Sequence, residues 1–170
     1  ITIDADGQHD PTQLPKFIQA FNDNPKGMAL GARTQNQSNY PRHRLIGTCI
    51  ADFFITWAGQ RPIIDSQSGF KCYPINLIKR YALKKRAPGF TLESYLLIKA
   101  AKRNIPITYI EIEAIDTPKE STSHYRPTWH TTQIVLMITW EILKGLFCLK
   151  GLVLAIRRQI TGKYRHVPKS

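Results

Sequence analysis

Ile1-Thr2-Ile3-Asp4-Ala5-Asp6-Gly7-Gln8-His9-Asp10-Pro11 opens the chain and decides how the rest is read. A short apolar segment, strand-like in composition, runs straight into two acids one residue apart. In extended backbone, residues two apart project to the same side, so Asp4 and Asp6 can converge on one hard cation. Gln8 follows at the same spacing as another oxygen donor. Carboxylates suit Mg²⁺ or Mn²⁺, and a Mg²⁺ site often combines one or two carboxylates with substrate phosphates. Asp10 reads as a helix N-cap, with Pro11 at the first helical position and Gln13 placed for a capping box. A solvated acidic turn between a strand and a helix accounts for the same spacing. An EF-hand does not, because its loop needs Gly where His9 stands and Glu where Pro15 stands.

Outward from this stretch, helical and strand patterns alternate. Asp10 to about Asp23 carries Leu14, Phe17, Ile18 and Phe21 at helical spacing. Gly27 to Arg33 reads as a buried strand ending in a basic residue, and Thr34 to Asn39 as a polar loop. A second helix is expected from Tyr40 to about Gly59 on Leu45, Ile46, Ile50, Phe53, Phe54 and Trp57. Ile63 to Tyr73 reads as a turn leading into a strand, Asn76 to Lys85 as a short helix, and Thr91 to Arg103 as a further helix. Ile105 to Ile115 alternates as a strand. Strands interleaved with helices predict an α/β fold with a mostly parallel sheet. From Ile134 to Ile156 the chain is strongly apolar, but Glu141, Lys144, Lys150, Gly145 and Gly151 interrupt it. An interfacial amphipathic element with a basic flank fits this pattern better than a spanning helix, and a buried helical hairpin is the alternative.

The chain has 170 residues, which sets one domain as the natural expectation, and its formal net charge is +12. Residues 144–170 carry seven Lys or Arg and no Asp or Glu, so more than half the excess lies at the C-terminal end. This balance points to anionic partners: phosphates, an anionic membrane surface or nucleic acid. Cys49, Cys72 and Cys148 show no metal-ligand or redox spacing, which suits a reduced cytosolic compartment. The aromatic–basic interleaving of single-strand binders is missing, so nucleic acid ranks last among these partners.

Four stretches in series carry a family resemblance: Asp4 to Pro11; Gly31-Ala32-Arg33; Asp65-Ser66-Gln67-Ser68-Gly69-Phe70-Lys71; and Gly89-Phe90 with Glu93. In order and approximate spacing the chain resembles the C-terminal part of a family 2 glycosyltransferase, close to the polyprenyl- and dolichyl-phosphate sugar transferases. The resemblance covers roughly residues 1–125. It implies a GT-A type, Rossmann-like fold, a divalent cation, a nucleotide-sugar donor, a polyprenyl phosphate or glycan acceptor, and inversion at the sugar carbon. Asp4 and Asp6 match the metal and diphosphate motif, with Gln8 as a third ligand. Arg33 matches a position near the diphosphate or acceptor phosphate, and Arg42 and Arg44 are assistants. Asp65 matches the catalytic acid/base position. It would deprotonate a sugar hydroxyl, or position groups if the acceptor is an already ionised phosphate. Lys119 and Arg126 are candidate contacts to an acceptor phosphate.

Plainer readings stand beside these. Arg33 is a solvated strand-end residue, Asp65 a turn residue, Gly69 a tight-turn glycine, and Glu93 a favourable charge at a helix start. His9 and His124 read as hydrogen-bonded structural residues. Ser94 stands where many members carry a second acid, and Pro118 to Pro127 only loosely matches the lipid-phosphate branch. On the resemblance, residues 1–127 are the C-terminal part of a catalytic domain whose nucleotide-base half lies upstream. Alone, this piece is expected to be inactive. Residues 128–170 are an apolar helical region with a basic tail, held at the cytoplasmic face of a membrane. The competing classes are a non-catalytic basic module that binds membrane or nucleic acid, and a nucleotidyltransferase.

Overall fold

The computed structural model describes residues 1–35, 42–82, 91–113, 115 and 127–161. Its three strands are β1 (Met28–Gln35), β2 (Lys71–Cys72) and β3 (Ile107–Glu113), in the order β2-β1-β3. β1 and β3 are parallel, with Leu30 opposite Tyr109 and Ala32 opposite Glu111. β1 and β2 are antiparallel, pairing Leu30 with Lys71. Among the described residues the sheet is therefore mixed rather than mostly parallel. The turn after Ile64 sends the chain back alongside β1, which reverses the strand that follows. Ile1-Thr2-Ile3 forms no strand either. Only Thr2 bridges to Lys71, through N–H···O bonds of 2.8 and 3.0 Å, at the open edge of β2.

Helices cover both faces of this sheet. α1 (Leu14–Asp23), entered through a 3₁₀ turn at Pro11–Gln13, lies on one face. Asp10 caps that turn by accepting from Thr12 N–H at 2.9 Å, while the buried Gln13 Oε1 meets no donor, so the expected capping box does not form. Successive strand residues point to opposite faces. Ala29 accordingly meets Phe17, Phe70, Ile110 and Ile112 on the α1 side, where the Phe17 and Phe70 rings stack 3.8 Å apart. Met28 and Leu30 face the larger core, built with Ile55, Ala58, Leu96, Leu97, Ile98, Ile138 and Ile142. These come from α2 (Arg42–Gly59), α4 (Thr91–Lys102) and α5 (Pro127–Lys144). Ile75–Leu77 forms a short α3, continued by a π-turn over Ile78–Ala82.

The apolar C-terminal stretch is two helices. α5 ends at Lys144, and α6 (Leu149–Thr161) begins after a 3₁₀ turn in which Phe147 has φ 64°. α6 packs along α2 so closely that a Cβ at Gly151 would lie 2.1 Å from the Trp57 carbonyl oxygen. The pair is only partly buried, so it is not the buried hairpin of the alternative reading. α5 buries Ile138, Glu141 and Ile142 yet exposes Trp129, Leu136 and Trp140; α6 buries Ala155 and exposes Leu149, Val153 and Ile160. No helix among the described residues is long and apolar enough to cross a membrane.

Candidate active site

The acidic loop and the turn after Ile64 meet at Gly69. The Asp4 carboxylate lies directly on this glycine, where a Cβ would come within 2.0 Å of Asp4 Oδ2. Gly69 does not have a positive φ, so the glycine is required by close approach rather than by turn conformation. Five residues on from Asp4, buried His9 accepts the Gly69 N–H at Nε2, 3.2 Å away. It is thus a hydrogen-bonded residue, as read, and it staples the acidic loop to the turn. Burial lowers its basicity, and the Arg33 charge adds to this.

Beside Gly69, Lys71 is fully buried in β2 and donates from Nζ to Glu93 Oε2 at 2.5 Å. Glu93 sits in the first turn of α4, so the charge at the helix start is also the counterion of a buried lysine. Part-burial pushes the Asp4 carboxyl above its ordinary range. The Glu93 and Asp6 charges raise it further, against Lys71 and His9. Three acids thus share one field, which is what a bound cation would relieve. Asp6 is exposed and accepts the Gln8 N–H at 3.0 Å, closing a small turn. Among the described residues no group of three or more Asp, Glu, His or Cys side chains is arranged to hold a metal. Asp4 and Asp6 are near enough for the charge of Asp6 to be felt at Asp4.

Asp65 and Arg33, read separately from the sequence, are one buried ion pair. Asp65 Oδ2 accepts both the backbone N–H and Nε–H of Arg33 at 2.8 Å, and Oδ1 accepts Nη2–H at 2.6 Å. The solvated reading of Arg33 is therefore wrong, since the residue is only 9% exposed. Asp65 adopts a left-handed φ of 48°, a region Asp and Asn tolerate better than other side chains, and its turn is held in place by its surroundings. Asp52 of α2 does much of this, accepting the Asp65 N–H at 2.8 Å and the Ser66 N–H at 2.7 Å. Burial, and then the Asp65 charge, push the Asp52 carboxyl up to about 7, against its bonds to Ser66 and the charge of Arg158.

Arg42 and Arg44 lie in the first turn of α2, Arg42 exposed and Arg44 half-buried. Lys119, His124, Arg126 and Gly89-Phe90 lie outside the described residues. Sequence reading missed Asp52 and the buried state of Lys71. An acid inside the apolar pattern of α2 was the available signal for the first. The second left none, because Lys71 was read only as the end of a motif.

The sequence pattern described as Glycosyl transferase family 2 matches residues 1–86. The chain belongs to that family. Family membership brings a GT-A type fold, of which the parallel β1–β3 pair and its flanking helices are the described α/β part. A UDP-N-acetylglucosamine–dolichyl-phosphate N-acetylglucosaminyltransferase of Methanococcus voltae is 31% identical over 120 residues, covering 69% of this chain and 48% of that protein. An undecaprenyl-phosphate mannosyltransferase of Micrococcus luteus is 22% identical over 159 residues, covering 85% of this chain and 63% of that protein. The chain thus spans about half the length of the first of these relatives and under two thirds of the second. No solved structure matches it.

Proposed function

We propose that the protein to which this chain belongs transfers a sugar from a nucleotide-diphosphate donor to a polyprenyl phosphate. A glycan is the alternative acceptor. The observation that carries this reading is the convergence on Gly69. Asp4 touches the glycine, His9 accepts its N–H, and the Lys71–Glu93 pair adjoins it. Both named relatives are sugar transferases to a polyprenyl or dolichyl phosphate, which supports the lipid-phosphate acceptor over the glycan.

Asp4 and Asp6 would hold Mg²⁺ or Mn²⁺, with Gln8 as a further oxygen donor. When bound, the ion supplies positive charge against the departing diphosphate. Lys71 places a buried cation behind the acidic loop and orients Glu93 through the bond from its Nζ. Asp65 holds the Arg33 guanidinium in a fixed plane at the end of β1. In that pose Asp65 positions groups around an ionised acceptor phosphate, or takes the proton of a hydroxyl acceptor. Arg44, Arg42, Lys119 and Arg126 are the proposed further contacts to phosphate. Direct attack of the acceptor from the face opposite the leaving group would invert the sugar carbon.

The exposed apolar faces of α5 and α6, with Lys144, Lys150 and Arg157 among them and a basic C-terminal end, suit residence at the anionic cytoplasmic surface of a membrane. Such a surface is where a polyprenyl phosphate would be met. Donor binding tests the metal part of the proposal. Isothermal titration of the intact protein with UDP-N-acetylglucosamine, with Mn²⁺ and with chelator, should show metal-dependent affinity that Asp4→Asn removes. Equal affinity in chelator would count against the metal role.

A further inference from the structure

The turn that carries Asp65 is supported from three directions, and only one of them, Arg33, belongs to the site as read. From α2, the Asp52 carboxylate accepts two consecutive backbone N–H groups, those of Asp65 and Ser66. One turn on, Thr56 Oγ1 accepts the Ile63 N–H at 3.1 Å. From α6, Arg158 donates from Nη1 to the Ile63 carbonyl oxygen, across 95 residues of chain. Asp52 and Arg158 line the same small cleft between α2 and α6, together with Cys49, Thr56 and Ala155. The left-handed φ at Asp65 is a conformation the backbone does not favour unaided. Two N–H groups fixed by one carboxylate therefore decide where the Asp65 side chain, and through it Arg33, can lie.

We propose that Asp52 is a positioning residue for the Asp65–Arg33 pair, and that Arg158 makes α6 part of the same support. This rests on the reading of Asp65 and Arg33 as site residues. Asp52 contacts the backbone of the turn rather than any reacting group. Its effect therefore passes through the orientation of Asp65, and misplacements of about 1 Å in such a group reduce turnover by up to about a hundredfold. On this account α6 braces the site as well as exposing an apolar face, so loosening its seat on α2 slows the chemistry.

The test compares Asp52→Ala, Asp52→Asn, Arg158→Gln and Arg158→Lys in the intact protein. Local amide hydrogen exchange is read at Asp65 and Ser66, with residues 28–30 of β1 and all of β3 as internal controls. Transfer is assayed with UDP-N-acetylglucosamine and undecaprenyl phosphate in micelles. Asp52→Ala should speed exchange at Asp65 and Ser66 about tenfold or more, and at Arg33 whose N–H Asp65 accepts, while leaving residues 28–30 of β1 and all of β3 unchanged. It should lower kcat up to about a hundredfold with donor KM within about twofold. Asp52→Asn keeps one acceptor oxygen and should fall between wild type and Ala in both readouts. Arg158→Lys should stay near wild type, with Arg158→Gln shifted in the direction of Asp52→Asn.

Unchanged exchange at Asp65 and Ser66 in Asp52→Ala would overturn the proposal. So would a loss spread evenly over the sheet, with Asn no better than Ala. Should Asp52→Ala fail to fold, the shape-preserving Asp52→Asn decides by the same local exchange. Failure of the site reading looks different: Asp65→Asn and Arg33→Lys would then retain transfer, while the exchange pattern of the Asp52 variants stayed as expected.

Discussion

Position 69 has room for a hydrogen and nothing larger. A methyl group there would sit 2.0 Å from Asp4 Oδ2 and turn the Asp4 carboxylate out of its place. Gly69→Ala should therefore lower transfer by roughly a hundredfold, with a modest change in melting temperature. Wild-type kcat in this variant would show that Asp4 acts elsewhere. The motif around Gly69 was legible because its residues are close in sequence. Its reason was not, since the crowding comes from a side chain 65 positions earlier. The same holds for Arg33 and Asp65, paired across 32 residues. A strand-end arginine looks solvated until the carboxylate that buries it is known. Removing one partner of such a buried pair leaves an uncompensated charge, which typically costs about 3–5 kcal/mol.

α5 is anchored by a charge. Glu141 is 1% exposed and accepts from Lys99 Nζ at 2.7 Å and Lys102 Nζ at 2.9 Å, both on α4. Burial raises its carboxyl, but the hydrogen bonds and charges of the two lysines outweigh this and hold it below its ordinary 4.5. The folded state therefore favours the ionised form. The stabilisation is present above pH 4.5 and is lost as pH falls through the lower, folded value. Glu141→Gln should destabilise the protein by roughly 3 kcal/mol at neutral pH and flatten the acid limb of its stability curve below pH 4.5, read by denaturant unfolding at several pH values. An unchanged acid limb would remove Glu141 from this role. In the sequence Glu141 only interrupted an apolar run. The α2 pattern misled in the opposite way. Ile46, Ile50 and Phe54 mark an apolar face that is exposed, while the buried face is Asp52, Ile55, Thr56, Ala58 and Gly59. Helical period identified the helix, but two of the inward positions are polar because they hold the Asp65 turn. The helices themselves were legible to within a few residues, as was β3, since period survives where tertiary contact does not.

For the molecule as a whole, alternating elements gave the α/β class, while strand direction depended on a turn whose supports are distant in sequence. Apolar side chains of α2, α5 and α6 remain exposed, Ile160 at 80% and Leu136 at 64%, in a chain of net charge +12. Vesicles rich in phosphatidylglycerol should bind the protein, with a blue shift of Trp fluorescence, and neutral vesicles should bind it weakly. Each basic residue near such a surface contributes about 1 kcal/mol, so Lys150→Glu with Arg157→Glu should weaken binding at least about thirtyfold. Equal binding to neutral vesicles would assign the exposed face to another occupant. In the proposed function Asp4 and Asp6 form the diphosphate edge of a sugar-transfer site. It is tested most directly by product formation in the intact protein, supplied with a panel of labelled nucleotide sugars, undecaprenyl phosphate and Mn²⁺. Wild type should give labelled lipid-phosphate sugar, and Asp4→Asn and Asp6→Asn at least a hundredfold less despite unchanged folding. Undiminished product from both variants would contradict it.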